Sequence, residues 1–313
     1  MPYTSIPEHK LDLFWVLNPD AEKFASASRE DGDLPSSQPL KPELPVLVLI
    51  HPAGGRVQGW ANQLGDPRFS QHYNLLAIDC PMHGLSRSTE RDKHTLEDSA
   101  DCVLRVLDEL DLQQYSLWGE GPHGVNIAAW IAVKRDEKVQ SLILATPGWR
   151  KEEPSVKASL IELEEGMFVN KNGQGTGDGS FPRDLLEEIL IYCVGSDQRM
   201  ASARQEMGDY FEGRYGAGKP AYEFRFLFTF VYNREPIPQA KLDKVTCPVL
   251  LLRGGADPVV CPPSAVEEWQ RAFPNARGGA SIHTISPAPN IISMCEGNIV
   301  NRIASRFLSE ALA

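Results

Sequence analysis

Two kinds of hydrophobic pattern alternate along this chain. Leu11 to Leu17 reads as a first strand, and a polar stretch with several prolines follows from about Asp20 to Pro45. Val46-Leu47-Val48-Leu49-Ile50 is then a continuous apolar run, as a parallel strand covered on both faces requires. Leu75 to Ile78 repeats that signal, and Leu96 to Leu110 spaces its apolar residues as a helix does, with mixed charges outside. Tyr115 to Trp118 predicts a strand, Gly124 to Val133 a helix of small residues, and Ser141 to Ala145 another strand. This rhythm predicts a parallel sheet with helices on both faces.

The rhythm breaks between about Gly148 and Ala240, where no parallel strand is evident. That segment holds helix candidates at Val156 to Glu165, Arg183 to Val194, Met200 to Tyr210 and Tyr222 to Val231. Alternation resumes with a strand at Pro248 to Leu252, a helix at Ser264 to Phe273, a strand near Ile282 to Ile285 and a closing helix from about Met294 to Leu312. The expected organisation is an α/β core of residues 1–148 and 241–313. Residues 149–240 form a helical cap over the strand ends, where such sheets place their ligands. The glycines Gly173, Gly175, Gly177 and Gly179 lack the strand, helix start and lysine of a phosphate loop, so they read as a flexible connection.

Composition narrows the function classes. A length of 313 residues and a 42% apolar share allow one sizeable core with an insertion. The net charge of -11 argues against nucleic acid, which needs a basic face. The start, Met1 to Ser5, has neither basic flank nor apolar run, so no signal peptide is expected, and no stretch approaches a membrane span. Six scattered cysteines without a Cys-x-x-Cys pair suit a reduced, cytoplasmic protein. His51, His72, His83, His94 and His283 show no metal-ligand spacing. Neither metal nor cofactor is expected.

Five segments, in order, carry a resemblance. His51-Pro52-Ala53-Gly54-Gly55 follows the Val46 to Ile50 strand, and Asp79-Cys80-Pro81-Met82-His83-Gly84-Leu85-Ser86 follows the next. Trp118-Gly119-Glu120-Gly121-Pro122-His123-Gly124 sits between a strand and a small-residue helix. Arg253-Gly254-Gly255-Ala256-Asp257 and Pro289-Asn290 precede the closing helix. Together they resemble the α/β-hydrolase fold superfamily from about Leu44 onward. The resemblance implies a mostly parallel sheet, an oxyanion-hole loop at His51 to Gly55, a nucleophile elbow at Gly121, an acid at Asp257 and a histidine position at Asn290.

The departures from that pattern bear on chemistry. Gly121 tolerates the strained elbow but offers no oxygen to attack a carbonyl. Pro122 has no N–H to donate to an oxyanion. Asn290 cannot take a proton from a nucleophile. Asp257, whose role is to orient an imidazole, has none to orient. The expected catalytic set is therefore Asp257, Asn290 and His123, the last a neutral imidazole at a helix start. Cys80 reads as structural. Pro52, Ala53, Gly54, Glu120, Gly121 and Pro122 are expected around the substrate.

The cap's aromatic residues, from Tyr192 through Tyr210, Phe211 and Phe224 to Tyr232, suit either a small apolar or aromatic ligand or the cap's own packing. Three functions compete. The first is a non-hydrolytic enzyme of lyase, isomerase or cyclase type. The second is a catalytically silent ligand-binding or interaction protein. Here Gly119-x-Gly121-x-His123-Gly124 and Phe230-Val231-Tyr232-Asn233-Arg234 are similar to the N-myc downstream-regulated family. The third is a hydrolase or acyl transferase with a displaced nucleophile.

Overall fold

Period-two alternation divides strand β3 (Val46–Ile50) between two cores. Val46, Val48 and Ile50 face one cluster, with Val103, Ala128 and Trp269, while Leu47 and Leu49 face the other, with Trp60, Trp118 and Val300. All five are buried, which is why the run contains no polar position. The computed structural model describes residues 3–22, 37–88, 94–169, 177–256 and 261–312.

The remaining strands are β1 (Tyr3–Ile6), β2 (Leu11–Leu17), β4 (Asn74–Ile78), β5 (Arg87–Ser88), β6 (Tyr115–Glu120), β7 (Val139–Ala145), β8 (Val249–Gly254) and β9 (Ala280–Ile285). They form one sheet in the order β1-β2-β4-β3-β6-β7-β8-β9, with β5 paired to β2. β4, β3, β6, β7, β8 and β9 run parallel, and β2 pairs antiparallel with β1, β4 and β5. Helices Leu96–Glu109, Gly121–Lys134 and Pro263–Ala272 bury their apolar stripes on one face, and Gly297–Leu312 on the other. The mostly parallel sheet and the helices on both its faces are those of the expected α/β architecture.

Local chemistry sets several boundaries. Thr95 and Asp98 form a reciprocal capping box that starts the Leu96–Glu109 helix. The small-residue helix begins at Gly121, three residues before its expected start, because Pro122 sits in the first turn where no amide partner is needed. The closing helix is divided into Ile292–Cys295 and Gly297–Leu312, and a Cβ at Gly297 would lie 2.6 Å from Asn62. β1 and β5 were not anticipated; they are short and gain their pairing from β2.

Between β7 and β8 lie helices Pro154–Phe168, Arg183–Val194, Ala201–Tyr215, Ala221–Leu227 and Thr229–Tyr232. Met167, Phe181, Leu190, Phe211, Tyr215 and Phe224 form a separate apolar cluster there. This helical layer touches loops at the carboxyl ends of the strands: Tyr210 Oη accepts the Gly84 N–H at 2.7 Å, and the Ile291 N–H donates to the Cys193 carbonyl at 2.8 Å. Gly173 and Gly175 lie outside the described residues, while Gly179 donates to the Met167 carbonyl. All six cysteines are free thiols. Among the described residues no helix is long and apolar enough to cross a membrane.

Candidate functional site around the elbow

The carboxyl ends of β3, β4 and β6 meet at the elbow. Its glycines permit backbone contact: a Cβ at Gly119 would lie 2.3 Å from the Gly124 carbonyl, and one at Gly124 would lie 2.4 Å from that of Ile50. Gly121 keeps the left-handed turn, with φ +67. A Cβ on Gly121 would come 2.8 Å from Pro52 Cβ. The place where a nucleophile's side chain would begin is thus pressed by a proline ring. Pro122 follows, and its carbonyl accepts from Asn126 Nδ2 at 2.7 Å.

The loop after β3 is covered from above. Gly54, at φ +67, packs so closely under Phe211 that a Cβ would meet the ring at 2.3 Å. Pro52 and Ala53 are half-buried and Gly54 is buried.

The turn after β4 is organised by Asp79. Its Oδ1 accepts from Val57 N at 2.6 Å and its Oδ2 from Leu85 N at 2.7 Å. Burial pushes this carboxyl up to about 7 despite those amides. Ser86 Oγ donates to the Asp79 carbonyl at 2.6 Å and accepts from Phe14 N at 2.9 Å, joining the turn to β2.

His51, His83 and His123 converge beneath this surface. Ring centroids are 4.8 Å apart for His83 and His123, 5.1 Å for His51 and His83, and 6.0 Å for His51 and His123. His51 Nε2 accepts from Cys80 N at 2.9 Å, which makes Nδ1 the protonated nitrogen, donating to the Pro52 carbonyl at 2.7 Å. His83 Nδ1 lies 2.9 Å from the Pro81 carbonyl and its Nε2 is buried without a hydrogen-bond partner. His123 Nδ1 is 3.5 Å from the His51 carbonyl. Burial lowers all three: His51 to about 4, His123 to about 3, and His83 well below the ordinary range.

Ligand atoms of His51, Cys80 and His123 lie within 4.8 Å of one another, a grouping that sequence spacing did not suggest. Both nitrogens of His51 are already committed, and burial raises the Cys80 thiol well above its usual range. As they stand, these residues form a neutral packed cluster.

The expected catalytic residues fall in different surroundings. His123 belongs to the histidine cluster. Asn290 lies on the loop after β9; it is buried, and its side-chain amide makes no hydrogen bond among the described residues. The adjoining Ile291 is the residue held by Cys193. Asp257 lies outside the described residues.

Glu120 requires a correction as a substrate-facing group. It is 1% exposed, its Oε1 accepts from Ser293 N at 2.9 Å, and Ser293 Oγ donates to Oε2. It braces the elbow to the loop of Asn290, and burial pushes it up to about 7. Ser293 was missed because nothing local in the sequence marks a partner 173 residues away.

The aromatic residues of the helical layer also divide. Phe211, Tyr215 and Phe224 serve the layer's own core, whereas Tyr222, Phe226 and Tyr232 line a cleft of about 400 Å³ beside His94.

Residues 45–284 match the family model described as alpha/beta hydrolase fold. An (E)-2-((N-methylformamido)methylene)succinate hydrolase from Acinetobacter baylyi is 28% identical over 121 residues, covering 39% of this chain and 44% of that protein. A 2-hydroxy-6-oxononadienedioate/2-hydroxy-6-oxononatrienedioate hydrolase from Escherichia coli is 31% identical over 105 residues, covering 33% of this chain and 36% of that protein. The chain thus spans less than half the length of these curated relatives. Among solved structures, an enol-lactonase from Burkholderia xenovorans aligns with a TM-score of 0.73 at 16% identity, over 98% of this chain and 100% of that one. A thermophilic esterase from Thermogutta terrifontis aligns with a TM-score of 0.70 at 18% identity, over 99% of this chain and 97% of that one. At such identities the structural matches speak to the fold alone.

Proposed function

This chain belongs to the α/β-hydrolase fold family, and from that premise we propose that it is a catalytically silent member, holding a small apolar or aromatic molecule or a partner without covalent turnover. The observation that carries this reading is the elbow. Gly121 supplies no nucleophile, Pro52 presses on the position a side chain would leave from, and Pro122 supplies no oxyanion amide. Phe211 seated on Gly54 adds to it by filling space above the loop that would hold the oxyanion.

The hydrolytic names of the curated relatives favour a displaced nucleophile instead. Such a residue needs a reactive oxygen or sulfur at the site. Ser86 Oγ is committed to Asp79, Ser293 Oγ to Glu120, and the Cys80 thiol is held protonated by burial. A lyase, isomerase or cyclase using Asp257, Asn290 and His123 has one observation in its favour: Asn290 is a largely buried amide on the loop after β9. It needs His123 to face the ligand, and that ring stacks on His51 and packs at a tilt against His83.

Treating the protein with a panel of activated esters and a covalent probe for nucleophilic serines separates these readings. The expected result is no labelled residue and hydrolysis at the buffer rate. Labelling of any serine, Ser293 included, or hydrolysis that persists through repurification overturns the silent reading.

A further inference from the structure

A second cleft, of about 470 Å³, opens between the turn after β4 and the helical layer. Gly84, Leu85, Ser86 and Arg87 form one wall, and residues of the Ala201–Tyr215 helix and the loop after it form the other. None of its lining residues belongs to the elbow or to the loop of Asn290.

Its charge runs against that of the molecule. The protein carries a net charge of -11, yet this cleft is lined by Arg56, Arg87, Arg214 and Lys219 with a single carboxylate, Glu223. That carboxylate is committed to Arg214, whose Nη1 donates to Glu223 Oε2. Arg56 is held in place by its neighbours: its guanidinium lies 4.4 Å above the Tyr210 ring and 3.7 Å from Glu206. Lys219 and Arg87 make no ion pair with a carboxylate among the described residues. With both inner arginines paired to carboxylates, the two uncompensated cations at the edges leave a net positive field in a partly enclosed space. Gln58, on the same lining, has a buried side-chain oxygen without a hydrogen-bond partner. A bound hydroxyl could satisfy it, or the amide could turn its NH2 toward an anion.

We propose that this cleft binds a small organic anion, a carboxylate or a phosphate ester, through Arg56, Arg214, Lys219 and Arg87. A ligand here touches the sheet's loops and the helical layer together, so binding stabilises their junction and raises the unfolding temperature. The site is separate from the elbow, and the proposal stands whether or not the elbow is silent.

The experiment titrates the full-length chain with succinate and, separately, with inorganic phosphate, at constant ionic strength against a chloride reference. Thermal unfolding and calorimetry are the readouts. Saturable stabilisation by one probe and not by chloride is expected, and the stronger probe tells carboxylate from phosphate recognition. The exposed charge reversals K219E and R87E should together weaken binding by about tenfold or more while leaving the far-ultraviolet spectrum unchanged. No saturable response to either anion, or equal binding by the doubly reversed variant, overturns the proposal.

Discussion

The elbow and the turn after β4 are both segments by which the family resemblance was carried, yet they have met different fates. In the turn, every marked residue still performs a backbone task. Asp79 receives two amides, Gly84 makes room for its carboxyl, and Ser86 ties the turn to β2. In the elbow, the residues that shape the chain are intact, with Gly119 and Gly124 in backbone contact and Gly121 at positive φ, while those that would supply reactive atoms are absent. The constraints that build the fold and those that make it catalytic are therefore separable, residue by residue. Glycine at the elbow relieves backbone strain and carries no side chain.

Substitutions at the two positive-φ glycines test this contrast most strongly. A Cβ at Gly84 would lie 2.0 Å from Asp79 Oδ2, and that carboxyl is pinned by two amides and cannot retreat. Gly84→Ala should cost on the order of 4 kcal/mol or prevent folding, by strain and by loss of the Asp79 network. Gly121→Ala also faces a positive φ, but its nearest contact is 2.8 Å from a single ring carbon. It should cost about 1–3 kcal/mol. Urea denaturation of both variants measures the difference. Equal losses would mean that the elbow is as tightly built as the turn, against the contrast drawn above.

Acid should reveal the buried histidines. An unfolded imidazole titrates near 6.5, while His51 and His123 do so at about 4 and about 3, and burial holds His83 well below its ordinary value. Between about pH 5 and 6.5 the unfolded chain binds more protons at these sites, so they make stability fall as pH falls. Asp79 and Glu120, raised to about 7, act in the opposite sense, because the folded chain holds their protons across that window. Near pH 5 three histidines against two carboxylates leave a net loss of about 1.4 kcal/mol per pH unit, one proton's worth, and the two sets nearly cancel by about pH 6.5, where the unfolded imidazoles are half protonated. His123→Gln should nearly flatten the dependence near pH 5. An unchanged slope in that variant would show that His123 is not held neutral in the fold.

Much of this fold was legible in sequence, for reasons particular to its parts. A strand with both faces buried must be apolar throughout, and Val46 to Ile50 is. The helices between β7 and β8 were visible from local periodicity, as at Arg183–Val194. β9 was read short because it alternates at the sheet's edge, with most of its residues partly or fully exposed. That the turn after β6 carries a glycine at residue 121 was legible because the elbow is a local motif. The convergence of His51, Cys80, His83 and His123 was not, since three loops bring them together and no spacing records it. Pro52 pressing on Gly121, and Phe211 on Gly54, were equally hidden: each is a contact between segments whose separation in the chain carries no signal.

Glu120 offers the finest test of the contrast, because it belongs to the elbow by position and to the scaffold by contact. Its two oxygens receive the amide and the hydroxyl of Ser293, joining β6 to the loop of Asn290. Glu120→Gln keeps one oxygen to accept the amide, and the Ser293 hydroxyl must turn to accept from the new NH2 instead of donating. Below about pH 7 the folded Glu120 carboxyl is itself protonated, so one set of neutral hydrogen bonds is exchanged for another and the loss should be about 1 kcal/mol. Because a group raised to about 7 is removed, the variant should also gain stability relative to the parent as pH rises from 5 to 8. Parallel urea titrations at the two pH values measure that crossing. If Glu120 instead faced a ligand as an acid or base, the substitution would change ligand binding with little effect on stability, and the residue would return to the side of the elbow's chemistry.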